Sequence, residues 1–163
     1  MMAYAIRDFR SEDAVPVAAL TLKAIHEVGA QSYNPEQVAA WAAHHPAPER
    51  FTERASAGAH IKVAANADDI AVAYALLEPD GHLDMLYCHP DHTRRGLADE
   101  LLAECEMKAR TLSLTRLYTE ASDLARPAFE RAGYAMQHRR DFTIGLAGKA
   151  VPIHNYAMEK PLN

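Results

Sequence analysis

Two arginines and a glycine stand where a helix should begin. The segment His89–Leu102, HPDHTRRGLADELL, follows an apolar run, HLDMLYC, and leads into helical spacing. A helix N-terminus already carries partial positive charge, so Arg94 and Arg95 are misplaced there unless an anion shares the site. Free N–H groups at a helix start cradle phosphate, and Gly96 lets the backbone approach closely because it has no Cβ. This pattern predicts a phosphate-binding turn for an acyl-carrying cofactor.

The preceding strand carries a second constellation. Strand alternation places His82 and Asp84 on one face and Leu83, Met85 and Tyr87 on the other. A histidine titrating at about 6.5 suits general base work. Asp84, at about 3.9 in water, needs desolvation to do the same, or it binds a cationic amine. Glu120, on a later strand, is a third carboxylate or imidazole candidate, facing either an acceptor or solvent. Cys88 reads as a small core hydrophobe rather than a nucleophile. Cys88, His89 and His92 lack a further ligand at metal spacing, so no metal is expected.

These residues sit in a chain of 163 residues, the length of one domain spanning 1–163, with 49% hydrophobic and 24% charged residues. The net charge of −5 argues against nucleic acid, which needs a basic face. Two cysteines are too few for a disulfide framework. No stretch has the apolar length of a membrane span, and MMAYAIRDFRSED lacks the apolar core of a signal peptide. The expectation is a cytoplasmic protein without membrane or nucleic-acid partners.

Eleven elements position the candidates. Ala3 to Phe9 predicts a strand, and Ser11 caps a helix running to about Val28. Asn34-Pro35 starts a second helix carrying Val38, Trp41 and Ala42. A short helical turn is expected around Glu49 to Ala55. Strands follow at His60–Ala65, Ile70–Leu77 and His82–Cys88. Arg94 to Thr111 predicts a helix with Leu97, Leu101, Cys105 and Leu112 near one stripe. Arg116–Ala121 is the next strand. Leu124, Ala128, Phe129 and Ala132 mark a helix stopped by Gly133, with Pro127 either in its first turn or kinking it. Strands Tyr134–Ile144 and Ile153–Glu159 flank the loop LAGKA. The order β-α-α-β-β-β-α-β-α-β-β predicts an α/β domain. Its mixed, mostly antiparallel sheet has helices on both faces and one parallel strand–helix–strand crossover from His82 to Ala121.

This order, with CHPDHTRRGLADELL and EASDLARPAFERAGY, resembles the GNAT acetyltransferase superfamily. Its signature, Gln/Arg-x-x-Gly-x-Gly/Ala, is met by Thr93-Arg94-Arg95-Gly96-Leu97-Ala98, with threonine in place of the usual first residue. The resemblance implies acetyl-CoA as donor, its pyrophosphate on amides from about Arg94 to Asp99, including Gly96, Leu97 and Ala98. It also implies pantetheine along the backbone of Leu86, Tyr87 and Cys88, and an oxyanion donor among the amides near Tyr87 or Cys88. Ser122, Ala125, Phe129, Gly133 and Tyr134 fall on the second motif, with Ser122 replacing asparagine. Phe129 replaces the tyrosine that often protonates the leaving thiolate, so either another group such as Tyr134 serves, or the thiolate leaves aided by solvent and local positive charge, or catalysis is slow or absent. Family bases often occupy the places of His82 and Asp84. In related enzymes the first two helices cover the acceptor, which makes Tyr33, Trp41 and His45 specificity candidates. His154 and Tyr156 on the last strand are further candidates for that pocket.

The expected activity is direct transfer of an acetyl group from acetyl-CoA to an amine, with a small-molecule amine acceptor and a possible homodimer. Two alternatives fit the same residues. One is a non-catalytic acyl-CoA-binding or sensor module, motivated by Thr93 and Phe129. The other is acetylation of a protein or peptide amine.

Overall fold

The computed structural model describes residues 3–163. Seven strands and five α-helices follow the expected order, with one helix gained: β1 Ala5–Asp8, α1 Ala14–Glu27, α2 Pro35–Ala43, α3 Pro48–Ser56, β2 His60–Ala65, β3 Ala71–Leu77, β4 Leu83–Cys88, α4 Leu97–Thr111, β5 Arg116–Ala121, α5 Arg126–Arg131, β6 Ala135–Leu146 and β7 Lys149–Pro161.

Local chemistry explains most boundaries. Asn34 and Gln37 close a capping box: Asn34 Oδ1 accepts the Gln37 amide at 2.8 Å, and Gln37 Oε1 accepts the Asn34 amide at 2.9 Å. Ser11 does not cap α1. It opens a 3-10 turn, Ser11–Asp13, and Asp13 takes over by accepting the Arg10 amide at 2.8 Å and the Arg7 guanidinium at 2.8 and 2.9 Å. The turn expected near Glu49 is a full amphipathic helix begun by Pro48, with Phe51 wholly buried. Pro127 lies in the first turn of α5, where its missing N–H costs nothing. β6 and β7 run longer than the sequence suggests. Ala147 and Gly148, both at positive φ, join them in a tight turn.

The strands form two antiparallel sheets, β1-β2-β3-β4 and β5-β7-β6. The parallel crossover from His82 to Ala121 is present but short. Among the described residues the one ladder bridge between the two segments is the parallel pair His82–Tyr118. The Tyr118 amide donates to Gly81 O at 3.1 Å and Thr119 Oγ1 to Leu83 O at 2.7 Å. Beyond that point the two strands separate. Cys88 is therefore on an edge strand rather than in a sheet interior.

β3, AVAYALL, is buried along its whole length because helices cover both faces. On one face Leu97, Leu101, Leu102, Cys105 and Ala109 of α4 pack on Ala73, Ala75 and Leu77. The alanines leave room for the helix. Leu112, expected on this stripe, caps the helix end and is exposed. On the other face Val17 and Leu20 of α1 and Phe51 of α3 pack on Val63, Tyr74 and Leu76. A third cluster, Ile25, Tyr33, Val38, Ala42 and Ile153, joins α1 and α2 to the second sheet.

Candidate active site

A bulge changes the β4 alternation. Leu77 pairs with Leu83 and Leu76 with Met85, so Asp84 has no cross-strand partner. Leu83 consequently packs with Leu86 and Cys88 on the α4 side, while Met85 and Tyr87 point toward α1. The expected grouping of Leu83 with Met85 and Tyr87 fails for this reason. His82 and Asp84 do stay together, 4.0 Å apart between Nδ1 and Oδ1.

Neither residue is free. His82 lies between two carboxylates, donating from Nδ1 to Glu78 at 2.6 Å and from Nε2 to Glu120 at 2.8 Å. The Glu120 hydrogen bond, with help from Glu78 and against burial, raises the imidazole to about 9. At neutral pH it is therefore an imidazolium, which corrects the expectation of a histidine base near 6.5. The same bond holds the Glu120 carboxyl below its usual range, against burial. Arg54 of α3 clamps Asp84 at 2.6 Å and reaches Glu78 at 3.5 Å. Glu78, His82 and Asp84 lie close enough to share a cation, but Arg54 already occupies the carboxylates.

Where β4 and β5 separate, two cavities open. The first, about 280 Å³, is lined by Glu120 and Asp84, by the aromatic residues Tyr33, Trp41 and Tyr87, and by Phe129 and Ser122. The second, about 160 Å³, runs along Leu86, Tyr87 and Cys88 to Thr93 and Ala98 at the start of α4. Trp41, Leu86, Tyr87, Ser122 and Ala125 border both. Burial pushes the Tyr33 and Tyr87 phenols up to about 12 and the Cys88 thiol up to about 11, so all three stay neutral at pH 7.

At the far end of the second cavity the turn has the predicted form. Gly96 is the N-cap, left-handed at φ 76°, with no side chain capping the helix. Arg94 is also at positive φ, 61°. Arg94 and Arg95 are exposed, and a Cβ at Gly96 would meet nothing within 4 Å. As the first residues of α4, Leu97, Ala98 and Asp99 have amides without intrahelical partners. The Asp99 carboxylate is turned away, accepting from Arg131 Nε at 3.1 Å.

The remaining candidates divide. Tyr33 and Trp41 line the first cavity, as does His154, whose Nε2 donates to Asp123 at 2.8 Å. Although burial raises the Asp123 carboxyl, hydrogen bonds from Ser32 and His154 bring it below its usual range. Tyr156 lies outside both cavities, beneath the Arg126 guanidinium at 4.5 Å from its ring. Tyr134 is also outside. Its ring meets Phe129 edge-on at 5.0 Å, its hydroxyl is buried without a hydrogen-bond partner among the described residues, and Cys105 and Glu106 are its titratable neighbours. Burial and those neighbours push its pKa far up, so the expected replacement acid is out of place. Phe129, on the cavity wall, has no titratable group.

Sequence reasoning missed Arg54, Asp123, Arg140 and Asn155. The last two are directly paired on β6 and β7, so both side chains share the sheet face that carries Glu120. Alternation along RRDFTIG (Arg140, Phe142, Ile144) was the signal available for that face.

A family model described as an acetyltransferase (GNAT) domain matches residues 29–147. The chain is 30% identical over 129 residues to the uncharacterized N-acetyltransferase YafP of Escherichia coli K12, covering 79% of each. It is similar to a crystal structure of a GCN5-related N-acetyltransferase from Rhodopseudomonas palustris, with TM-score 0.84 and 32% identity over 99% of this chain and 98% of that one. The PaiA N-acetyltransferase of Thermoplasma acidophilum, solved with coenzyme A, shares the fold at TM-score 0.78 and 16% identity, covering 99% and 100%. The split between β4 and β5, the uncapped helix start and these likenesses agree: the chain belongs to the GNAT acetyltransferase family.

Proposed function

We propose that the chain transfers an acetyl group from acetyl-CoA to the amine of a small acceptor. The observation that carries this reading is that two adjacent cavities share the walls Leu86, Tyr87 and Ser122. They lead from the uncapped start of α4 to a pocket with an anionic wall. The residues fit the donor. The amides of Gly96 to Asp99 and the Arg94 and Arg95 side chains suit a pyrophosphate. The unpaired edge of β4 at Leu86, Tyr87 and Cys88 offers backbone groups to an amide-bearing arm. When bound, acetyl-CoA supplies an activated thioester carbonyl.

The chain's own groups do the rest. Glu120, ionised at neutral pH, attracts an ammonium and takes its proton, directly or through water, before the freed amine attacks the thioester carbonyl. The His82 imidazolium, braced by Glu78, orients that carboxylate. Asp84, held by Arg54, adds negative potential. Amides near Tyr87 and Cys88 are suited to polarise the carbonyl. His154, held by Asp123 and bordering the same cavity as Phe129, replaces Tyr134 as our assigned proton source for the departing thiolate.

Calorimetric titration with acetyl-CoA, CoA and ATP tests the donor. Saturable binding of the first two with little for ATP supports the reading. No acetyl-CoA binding to demonstrably folded protein refutes it.

A further inference from the structure

The acceptor pocket has charged groups of both signs, and one of them, Arg140, feels the Glu120 carboxylate through space but closes no salt bridge among the described residues. Arg140 on β6 lines the first cavity with Glu120 and Asn155. Its Nη1 donates to Asn155 Oδ1 at 3.0 Å, and its guanidinium carbon lies 5.2 Å from the centre of the Phe142 ring. Among the described residues Arg140 forms no ion pair. Most of the other charged side chains around this pocket are compensated. Asp84 has Arg54, and His82 has Glu78 and Glu120. A half-buried guanidinium held by a neutral amide is a carboxylate receptor waiting for its anion, because the fork pairs two oxygens at once.

The sheet sets the geometry. Glu120 pairs with Ala157 on β7, and Asn155, two residues on, pairs with Arg140 on β6. Glu120, Asn155 and Arg140 therefore lie diagonally across one face, with carboxylate and guanidinium at opposite edges of the three-stranded sheet. The cavity lining carries both signs: the Asp84 and Glu120 carboxylates, paired to Arg54 and His82 outside the lining, and the Arg140 guanidinium. It suits a ligand that itself carries both charges. Beyond Arg140 the same face continues with Phe142, Ile144 and Ile153, an apolar shelf for a side chain.

We infer that the acceptor is a free amino acid with an apolar side chain, its ammonium at Glu120 and its carboxylate on Arg140 and Asn155. This rests on the acetyltransferase reading above and adds to it the class of acceptor. A simple alkylamine would leave Arg140 without an anion. A peptide or protein amine would lack the carboxylate next to its amino group.

The test uses three matched sets with acetyl-CoA as donor. Leucine, methionine and phenylalanine are each compared with the corresponding amino-acid amide and decarboxylated amine. The expected result is a kcat/KM for at least one free amino acid ten-fold or more above its amide and amine. Arg140→Gln should abolish that preference by raising KM for the amino acid ten-fold or more, with kcat and the amide's KM little changed. Arg140→Lys, which keeps the charge and loses the fork, should retain part of the preference. Amides or amines used as well as the amino acids would overturn the inference, even if no Arg140 variant folds. So would an equal loss for all three classes in Arg140→Gln, or binding of acetyl-CoA with none of the amino acids acetylated. Failure to bind acetyl-CoA in a parallel titration would instead overturn the donor assignment on which the inference rests.

Discussion

Replacing Glu120 with glutamine separates its two roles, because the carboxylate is both the proposed proton acceptor and the main anchor of His82. The His82 Nε2–Glu120 contact is 2.8 Å, and this hydrogen bond is the largest cause raising the imidazole to about 9. A folded-state pKa above the unfolded value of about 6.5 stabilises the protein fully below pH 6.5. That stability is lost as pH rises through 9. At about 1.4 kcal/mol per pH unit the whole effect reaches about 3 kcal/mol, divided between Glu120 and Glu78. Glu120→Gln keeps the shape and removes the charge. The stability difference between pH 6 and pH 10 should therefore shrink by about 1–2 kcal/mol, Glu78 supplying the remainder. Urea unfolding at a series of pH values measures this directly. In steady-state assays with the best acceptor found, kcat should fall by about 10²-fold or more, the usual contribution of a positioned acid–base group. Acetyl-CoA affinity should hold, since Glu120 is remote from the α4 turn. A variant with wild-type turnover would remove Glu120 from the chemistry. An unchanged stability profile between pH 6.5 and 9 would show that Glu120 does not keep His82 charged.

Two further substitutions probe the donor side and the missing acid. Gly96→Val places a β-branched side chain at φ 76°, strained by about 1–2 kcal/mol, in a spot where a Cβ meets no protein atom. It should weaken acetyl-CoA binding ten-fold or more by calorimetry, and unaltered affinity would sink the pyrophosphate assignment. Tyr134→Phe removes a buried hydroxyl that has no partner, so stability should stay level or rise by up to about 1 kcal/mol, with turnover unchanged. Lost turnover in that variant would return Tyr134 to the mechanism.

The amino-acid sequence alone determined what depends on neighbours along the chain. The periodicity of α4, the capping pair Asn34 and Pro35, and the strand Arg116–Ala121 are local and came out close to where the structure has them. The uncapped turn before α4 was legible because its signal is an electrostatic conflict within a few residues, Arg94-Arg95-Gly96 at a helix start. Resemblance of two motifs added the family. His82, Asp84 and Glu120 were legible as candidates because strand alternation is local too.

Tertiary structure decided what those candidates are. No local rule places Glu78 and Glu120 on either side of His82, since the second comes from a strand 38 residues away, and that enclosure turns an expected base into a cation. Nor does local pattern reveal the Asp84 bulge, which flips Leu83, or the Arg54 clamp, which arrives from α3. Tyr134 shows the same limit. Its hydroxyl belongs to the core beside α4, a consequence of how α5 and β6 pack rather than of their spacing. Charge states and pocket walls are set by through-space distance, and only the folded chain brings residues far apart in sequence within the few ångströms over which desolvation and hydrogen bonds act.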